Sequence, residues 1–368
     1  MNKKNIFICC TEQSGENICY NILKRINLDN YNIDGVCGKN SEKYISNKFY
    51  DISEFKSIGI FEVVLSINKY LKMIKFLKNH IIKKNYDLVI CIDSPDFNYQ
   101  LAKSLRKSKF SNNILQIVAP TVWAWRKKRA EKFARLFDEI FLLFAFEKKY
   151  FQFANFKSTF IGHPIYHTKK RPIKNSYKYI SFLMGSRENE IKKLFKYFDY
   201  LEKYIYQNNL QYTIFIPTLP HLYNIIKSKT SKWATPTLIS KDIDKSETLF
   251  NDVFISVTCS GTASLEIAKR NIPQIVIYKL NYFTELILKL IIKIKKACIL
   301  NIVSNKTIIP EVVNSQLNKR NIINNFDKLL NDSDYRNKQI NDINKNLPLI
   351  ENDESPYDIS ISRILSLI

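Results

Sequence analysis

The chain has 368 residues, 45% hydrophobic and 13% aromatic, which is enough apolar surface for two ordinary domain cores and too much for a disordered chain. Its 57 Lys and Arg against 34 Asp and Glu give a formal charge of +23; that balance draws nucleic acid, phosphate ligands or an anionic membrane surface, and follows equally from a composition rich in Lys, Asn and Ile. No apolar run reaches the ~18–20 residues of a membrane span, Ile6–Cys10 is shorter than the ~7–15 residues of a signal-peptide core, and the seven cysteines form no CxxC pair, so a cytoplasmic protein without a zinc ribbon or disulfide framework is expected.

Short β-branched and aromatic runs predict strands at Asn5–Cys10, Asp87–Ile92, Ile114–Val118, Glu139–Leu143, Tyr179–Met184, Tyr212–Ile216, Val253–Val257 and Gln274–Tyr278. Helical periodicity lies between them at Ile18–Ile26, Arg126–Leu136, Glu188–Tyr204 and Ala263–Arg270. This alternation predicts an α/β protein with parallel sheets covered on both faces. The polar stretch Pro164–Lys178 reads as a linker. The expected organisation is an N-terminal domain (1–165), a linker (166–178), a C-terminal domain (179–345), and a helical tail (346–368) returning to the first domain. Polar clusters follow the strands in each half: Thr11–Glu16, Asp93–Asn98 and Pro120–Arg126, then Gly185–Arg187, Ser260–Thr262 and Lys279. Open α/β sheets bind ligands beyond the carboxyl ends of their strands. The pattern therefore predicts two facing Rossmann-like domains with a ligand cleft between them.

Glycine is scarce. A typical chain of this length holds about 26; this one holds seven, at 15, 35, 38, 59, 162, 185 and 261. Survivors are expected where geometry or ligand approach forbids a Cβ. Ser260-Gly261-Thr262 follows a buried strand and opens a helix, so backbone N–H groups and two hydroxyls make a phosphate seat. Glu266, in the first turns of that helix, either accepts from two ribose hydroxyls or complements the helix N-terminus. Gly185-Ser186-Arg187 stands at a second such junction. There Arg187 offers a bidentate fork to a diphosphate and, without a metal, neutralises a departing nucleoside diphosphate. Asp242-Ile243-Asp244 and Asp332-Ser333-Asp334 follow no convincing strand and read as loop or capping acids, so no metal site is predicted.

In the first half, Asp93 at a strand tip and Asp96 three residues on offer a general base. Asp96 alternatively caps the next helix, and Glu12 and Glu16, flanking the first turn, are rival bases. Trp123 and Trp125 present faces suited to sugar rings or to core packing. His163, in Gly162-His163-Pro164, either acts as an acid or fixes the hinge. Two segments place apolar residues beside lysines at helical spacing: Phe61–Leu77 and Phe283–Lys296. In the first, Val63, Val64, Ile67, Leu71 and Ile74 are the expected membrane contacts, beside Lys69, Lys72, Lys75 and Lys78. Basic amphipathic helices lie at anionic interfaces; packing on a sheet is the alternative.

Taken together, Ser14-Gly15-Glu16, Ile92-Asp93-Ser94-Pro95-Asp96-Phe97-Asn98, Val122-Trp123-Ala124-Trp125-Arg126, Phe146-Glu147, Phe160-Ile161-Gly162-His163-Pro164, Gly185-Ser186-Arg187-Glu188-Asn189-Glu190, Ser260–Ala263 with Glu266, Tyr278-Lys279, Leu300-Asn301 and Ile309-Pro310-Glu311 occur in an order that resembles the lipid-A-disaccharide synthase family. The resemblance runs from about residue 5 to about residue 345. It implies a GT-B fold and a hexosyltransferase without cofactor or metal, working at the cytoplasmic face of the inner membrane. Such an enzyme joins UDP-2,3-diacylglucosamine to 2,3-diacylglucosamine 1-phosphate and releases UDP and a β-1,6 disaccharide 1-phosphate. By matching motif it implies catalytic roles for Asp93, Arg187 and Glu16. It implies substrate contacts from Glu12, Ser14, Gly15, Trp123, Trp125, His163, Gly185, Ser186, Ser260, Gly261, Thr262, Glu266, Tyr278, Asn301 and Glu311. The chain departs from the family pattern at Thr11, Glu16, Ala145 and Met184, where Gly, Asp, Pro and Pro are usual. The alternatives are another GT-B UDP-sugar transferase or epimerase, or a basic nucleic-acid-binding protein. No recognised nucleic-acid motif is present, and no nucleic-acid partner is expected.

Overall fold

Alternate residues of the inner strands feed two separate cores, the signature of a parallel sheet covered on both faces. The computed structural model describes residues 3–55, 63–123, 127–259, 261–279 and 296–368, with backbone alone for 63–67. The chain divides into two units: residues 1–166 with 351–368, and residues 167–350.

Unit 1 carries β1 (Lys4–Cys10), α1 (Gln13–Leu23), β2 (Tyr31–Cys37), β3 (Asn47–Asp51), α2 (Val63–Lys84), β4 (Leu88–Ile92), α3 (Pro95–Lys107), β5 (Asn113–Ile117), α4 (Arg129–Ala134), β6 (Glu139–Leu142) and β7 (Lys157–Phe160). Its strands are all parallel, in the order β3-β2-β1-β4-β5-β6-β7. Phe7, Cys9, Val89 and Cys91 join α2, α3 and α4 in one core through Leu77, Leu101 and Phe133. Ile6, Ile8, Ile90 and Ile92 pack on the opposite face with Ile18 and Ile22 of α1.

Unit 2 carries β8 (Tyr179–Leu183), α5 (Glu188–Gln207), β9 (Thr213–Pro217), α6 (Tyr223–Thr230), β10 (Thr237–Ser240), α7 (Ile243–Phe250), β11 (Val253–Cys259), α8 (Thr262–Lys269), β12 (Gln274–Tyr278), α9 (Ile299–Ser304), β13 (Glu311–Val313), α10 (Lys319–Asn331) and α11 (Ser333–Asn346). The strands run β10-β9-β8-β11-β12-β13, again all parallel. Apolar residues of α5 at three- and four-residue spacing, Ile191, Leu194, Phe198, Leu201 and Ile205, meet Ile180, Phe182 and Ile214 of the sheet and Phe326 of α10.

Both orders follow the Rossmann pattern, in which strand order reverses beside the first strand. The switch point lies between β1 and β4 in unit 1, and between β8 and β11 in unit 2.

The last helix, α12 (Pro356–Leu365), belongs to unit 1. Its Tyr357 and Ile364 enter the core against α1, and Arg363 Nε donates to both oxygens of buried Glu139 at 2.9 and 2.8 Å. The stretch expected as a linker is stitched to unit 2 from His167 onward. Arg171 N–H donates to Arg270 O at 3.0 Å, its guanidinium lies over Tyr177, and Lys174 pairs with Asp252 at 2.5 Å. Among the described residues no helix is long and apolar enough to cross a membrane.

Candidate active site

In unit 1 the turns after β1 and β4 meet at the switch point. Gly15 lies in the first turn of α1; a Cβ there would stand 3.1 Å from Asp93 Cβ and 3.2 Å from Ile92 O. The missing side chain is what lets α1 lie against the tip of β4. Ser14 Oγ donates to Asp93 Oδ2, and Asp93 is half-buried. The tip itself is strained. Asp93 and Ser94 take left-handed φ values of 54° and 39°, and Val118, beyond the neighbouring strand β5, takes 71°. Such conformations cost roughly 1–3 kcal/mol each and cluster at functional sites. Asp96 is exposed and pairs with Arg129 at 2.5 Å; α3 has no side-chain cap, so the capping expectation for Asp96 does not hold.

Glu16 is placed differently from the expectation. It is buried, and its two oxygens accept from Gly38 N at 2.8 Å and Ser41 N at 2.9 Å. A Cβ on Gly38 would strike this carboxylate at 2.7 Å. Glu16 thus closes the loop after β2, and the role of rival base gives way to that structural one. Glu12 sits exposed at the N-cap of α1.

His163 is buried, stacks on Phe144 with centroids 5.6 Å apart, and accepts from Ile165 N at Nδ1, 3.2 Å. Burial pushes its pKa down to about 4. Through this Nδ1 contact the ring holds the turn. Trp123 donates from Nε1 to Glu147 Oε1 at 3.1 Å and packs edge-on to Phe146. Glu147, also accepting from Phe144 N at 3.1 Å, is a buried clamp for this aromatic group that the sequence motifs contain without announcing. Burial raises its pKa to about 7. Trp125 lies outside the described residues.

In unit 2 the second switch point gathers the donor-type motifs. Gly185 has φ 118°, and a Cβ there would meet Glu190 Oε2 at 2.8 Å. Glu190 accepts from Ser186 N at 3.2 Å and holds Arg187 Nη1 at 3.2 Å, while the Arg187 side chain stays 77% exposed. Arg187 thus has one guanidinium nitrogen held by Glu190 while most of its side chain stays open to a ligand. Glu190 stands inside the Gly185–Glu190 motif but is given no role from sequence; the structure shows it holding the turn and Arg187. Tyr278, half-buried at the end of β12, has its hydroxyl pKa raised by burial and by the Glu190 charge. Gly261, φ 115°, is the N-cap of α8, with no described atom within 4 Å of a Cβ built there, so it is the backbone conformation that calls for glycine. Thr262 is exposed in the first turn. Glu266 is half-buried and has its pKa raised by burial, and its carboxylate has no hydrogen-bond partner among the described residues. Ser260 lies outside the described residues.

Two expected donor contacts are occupied elsewhere. Asn301 is fully buried. Its Oδ1 accepts from Ile308 N and Ile309 N at 2.8 and 3.0 Å, and its Nδ2 donates to Ile309 O and Glu311 Oε1 at 2.7 Å each. Glu311 also accepts from Ala297 N at 2.6 Å and Cys298 N at 3.0 Å. With its hydrogen bonds filled from within unit 2, Asn301 has none to offer a ligand. The pair is a clamp for the 297–311 segment.

Of the expected membrane contacts, Leu71 is 57% exposed, whereas Ile74 is buried in the core beside Leu77; Ile74 is therefore withdrawn from that role. Phe76, at 47% exposure, joins Leu71 instead, among exposed Lys69, Lys72 and Lys75. The side chains of Val63, Val64 and Ile67, and all of 283–295, lie outside the described residues. Asp242 and Asp332 accept from Lys245 N and Tyr335 N at 2.9 and 2.8 Å and cap their helices, as read from sequence. Among the described residues no three His, Cys, Asp or Glu side chains gather as a metal site.

Two Rossmann-like units, each with functional-type loops at its switch point, define the GT-B class. Solved structures share this architecture. MurG of Acinetobacter baumannii superposes with a TM-score of 0.62 over 99% of both chains at 10% identity. The UDP-GlcNAc 2-epimerase of Neisseria meningitidis, bound to UDP-GlcNAc, gives 0.60 over 99% of this chain and all of its own at 14%. At those identities the likeness is one of fold. Sequence is more specific. Residues 6–364 match the family model described as lipid-A-disaccharide synthetase. Lipid-A-disaccharide synthases of Rickettsia bellii and Aquifex aeolicus are each 31% identical, the first over 93% of both chains, the second over 91%. The chain belongs to the lipid-A-disaccharide synthetase family: it is a hexosyltransferase of lipid A biosynthesis. Neither the nucleic-acid reading nor another UDP-sugar enzyme is favoured by these matches.

Proposed function

We propose that the chain transfers the sugar of UDP-2,3-diacylglucosamine to the 6-hydroxyl of 2,3-diacylglucosamine 1-phosphate, with inversion. The observation that carries this reading is the pairing of chemistries at the two switch points: a strained, half-buried carboxylate in unit 1, and an open Arg beside glycine-led helix N-termini in unit 2. An α-linked sugar diphosphate is a good electrophile once its leaving charge is stabilised. Arg187 and the backbone N–H groups opening α8 stabilise that charge. Glu266 accepts from the ribose hydroxyls, and Tyr278 borders the seat. Asp93 takes the proton from the acceptor hydroxyl as that oxygen attacks the anomeric carbon from the face opposite UDP. The C–O bond to the diphosphate breaks, and UDP leaves with its electron pair. The new linkage is β. Trp123, held by Glu147, offers an aromatic face on the acceptor side.

Acylated substrates require a lipid surface. Leu71 and Phe76 among Lys69, Lys72 and Lys75 on the outer face of α2 support docking on an anionic inner-membrane leaflet, from the cytoplasmic side. The test is incubation of the purified protein with both lipids in EDTA, followed by mass spectrometry. The disaccharide 1-phosphate and stoichiometric UDP are expected. Activity that returns only on adding Mg²⁺ or Mn²⁺, or UDP release without disaccharide, contradicts the reading.

A further inference from the structure

The tip that carries Asp93 is more elaborately held than a turn needs. Three non-glycine residues with left-handed backbone, Asp93, Ser94 and Val118, adjoin one another at the ends of β4 and β5; for a β-branched residue such as Val118 this is a genuine outlier. Two fully buried carboxamides stand behind them. Gln116, in β5, places Nε2 at 3.0 Å from each of three carbonyl oxygens: those of Asp93, Ile117 and Val118. Asn98, in α3, donates from Nδ2 to the same Asp93 oxygen at 2.7 Å. The Asp93 N–H donates to Ile117 O at 2.9 Å. The peptide groups on both sides of the Asp93 Cα are thus pinned, and Ser14 grips its carboxylate from α1. Gln116 Oε1, Asn98 Oδ1 and Ser94 Oγ are themselves buried without a partner among the described residues. Unsatisfied buried oxygens and strained backbone both lower stability, so this is not an arrangement selected for stability alone.

We propose that Gln116 and Asn98 are positioning residues for the transfer. Their amide groups tie the tips of β4 and β5 together and hold the Asp93 carboxylate in one orientation at the unit 1 switch point, without either touching substrate. The proposal rests on the reading of Asp93 as the base.

Gln116→Met keeps length and apolar contact and removes the donor. With both lipid substrates, its kcat is expected to fall about 10–100-fold, the scale of a misplaced reacting group, while the donor KM stays within about twofold because the donor is held by unit 2. Asn98→Asp, which cannot donate when ionised, is expected to move kcat in the same direction. The discriminating readout is a double-mutant cycle with Asp93→Asn: once the base is gone, adding Gln116→Met is expected to cost less than about threefold more, since coupled residues are non-additive. Should Gln116→Met fail to fold, Val118→Gly removes the most strained φ, and Gln116→Met/Val118→Gly is compared with Val118→Gly alone. A folded Gln116→Met protein with wild-type kcat overturns the proposal, as do losses that multiply in the cycle. Wild-type turnover by Asp93→Asn itself overturns instead the reading of Asp93, a distinct result.

Discussion

At the scale of single residues, two carboxylates that look interchangeable in sequence have opposite surroundings. Asp93 has one oxygen held by Ser14 and remains half-exposed; Glu16 is sealed under two backbone N–H donors. Hydrogen bonds to charged groups contribute roughly 1.5–3 kcal/mol. Glu16→Gln is therefore expected to lower unfolding free energy by about 1–3 kcal/mol in denaturant titration, while the folded fraction keeps most of its kcat. A stable but inactive variant would return Glu16 to the chemistry. His163 makes a prediction in pH. Its pKa is about 4 folded and ~6.5 unfolded. As pH falls through that window the unfolded chain takes up a proton that the folded one refuses, so stability is present above pH ~6.5 and drains away toward pH ~4. The stability advantage of wild type over His163→Gln is expected to shrink by roughly 2 kcal/mol between pH 7 and pH 5, measured by urea titration at each pH; an unchanged difference means the ring titrates normally. Residue types and spacing singled out Asp93, Arg187 and the glycines as candidates, and at Asp93, Gly185 and Gly261 the backbone does take a positive φ. They did not separate Asn301 and Glu311 from ligand contacts, because a carboxamide saturated by its own loop and one awaiting a sugar are the same letter in sequence.

At the scale of elements, the eight strands expected from apolar runs are present, within a residue or two at their ends. The remaining strands escaped for physical reasons. β3, β7, β10 and β13 are outer strands, only partly buried, and lack a continuous apolar run. β2 is interrupted by Asp34-Gly35, which reads as a turn; yet Asp34 is fully buried, accepting from Lys84, Tyr86 and Asn47 at 2.6, 2.5 and 2.8 Å. Helix α2 illustrates the limit of periodicity. Its sequence shows an amphipathic stripe without saying which part meets the sheet, and burial assigns Ile74 to the core and leaves Leu71 and Phe76 outside. Burying a large side chain offers roughly 1.5–3 kcal/mol. Leu71→Ser with Phe76→Ser is expected to lower sedimentation with anionic vesicles by at least about tenfold in protein that still folds. Ile74→Ser should instead destabilise the fold. Unaltered vesicle binding by the double variant would remove this face from membrane contact.

At the scale of the whole molecule, the chain builds one Rossmann topology twice and then returns its last helix to the first unit. That return rests on a buried charge: Arg363 faces Glu139, which is 2% exposed at its side chain and also accepts from Thr159 at 2.5 Å. Removing one partner of such a pair strands the other, at a cost of roughly 3–5 kcal/mol. Arg363→Ala is expected to lower the stability of unit 1 by about that amount, whereas a loss under about 1 kcal/mol would mean that the pair contributes no more than an exposed one. The proposed function divides the labour between the two copies of this topology, with the base on one unit and the leaving-group seat on the other. Turnover and donor affinity of Asp93→Asn, measured side by side with UDP-2,3-diacylglucosamine, test that division most directly. The account predicts a ~10²–10⁴-fold fall in kcat with donor affinity unchanged; near-normal turnover, or a parallel loss of donor binding, would contradict it.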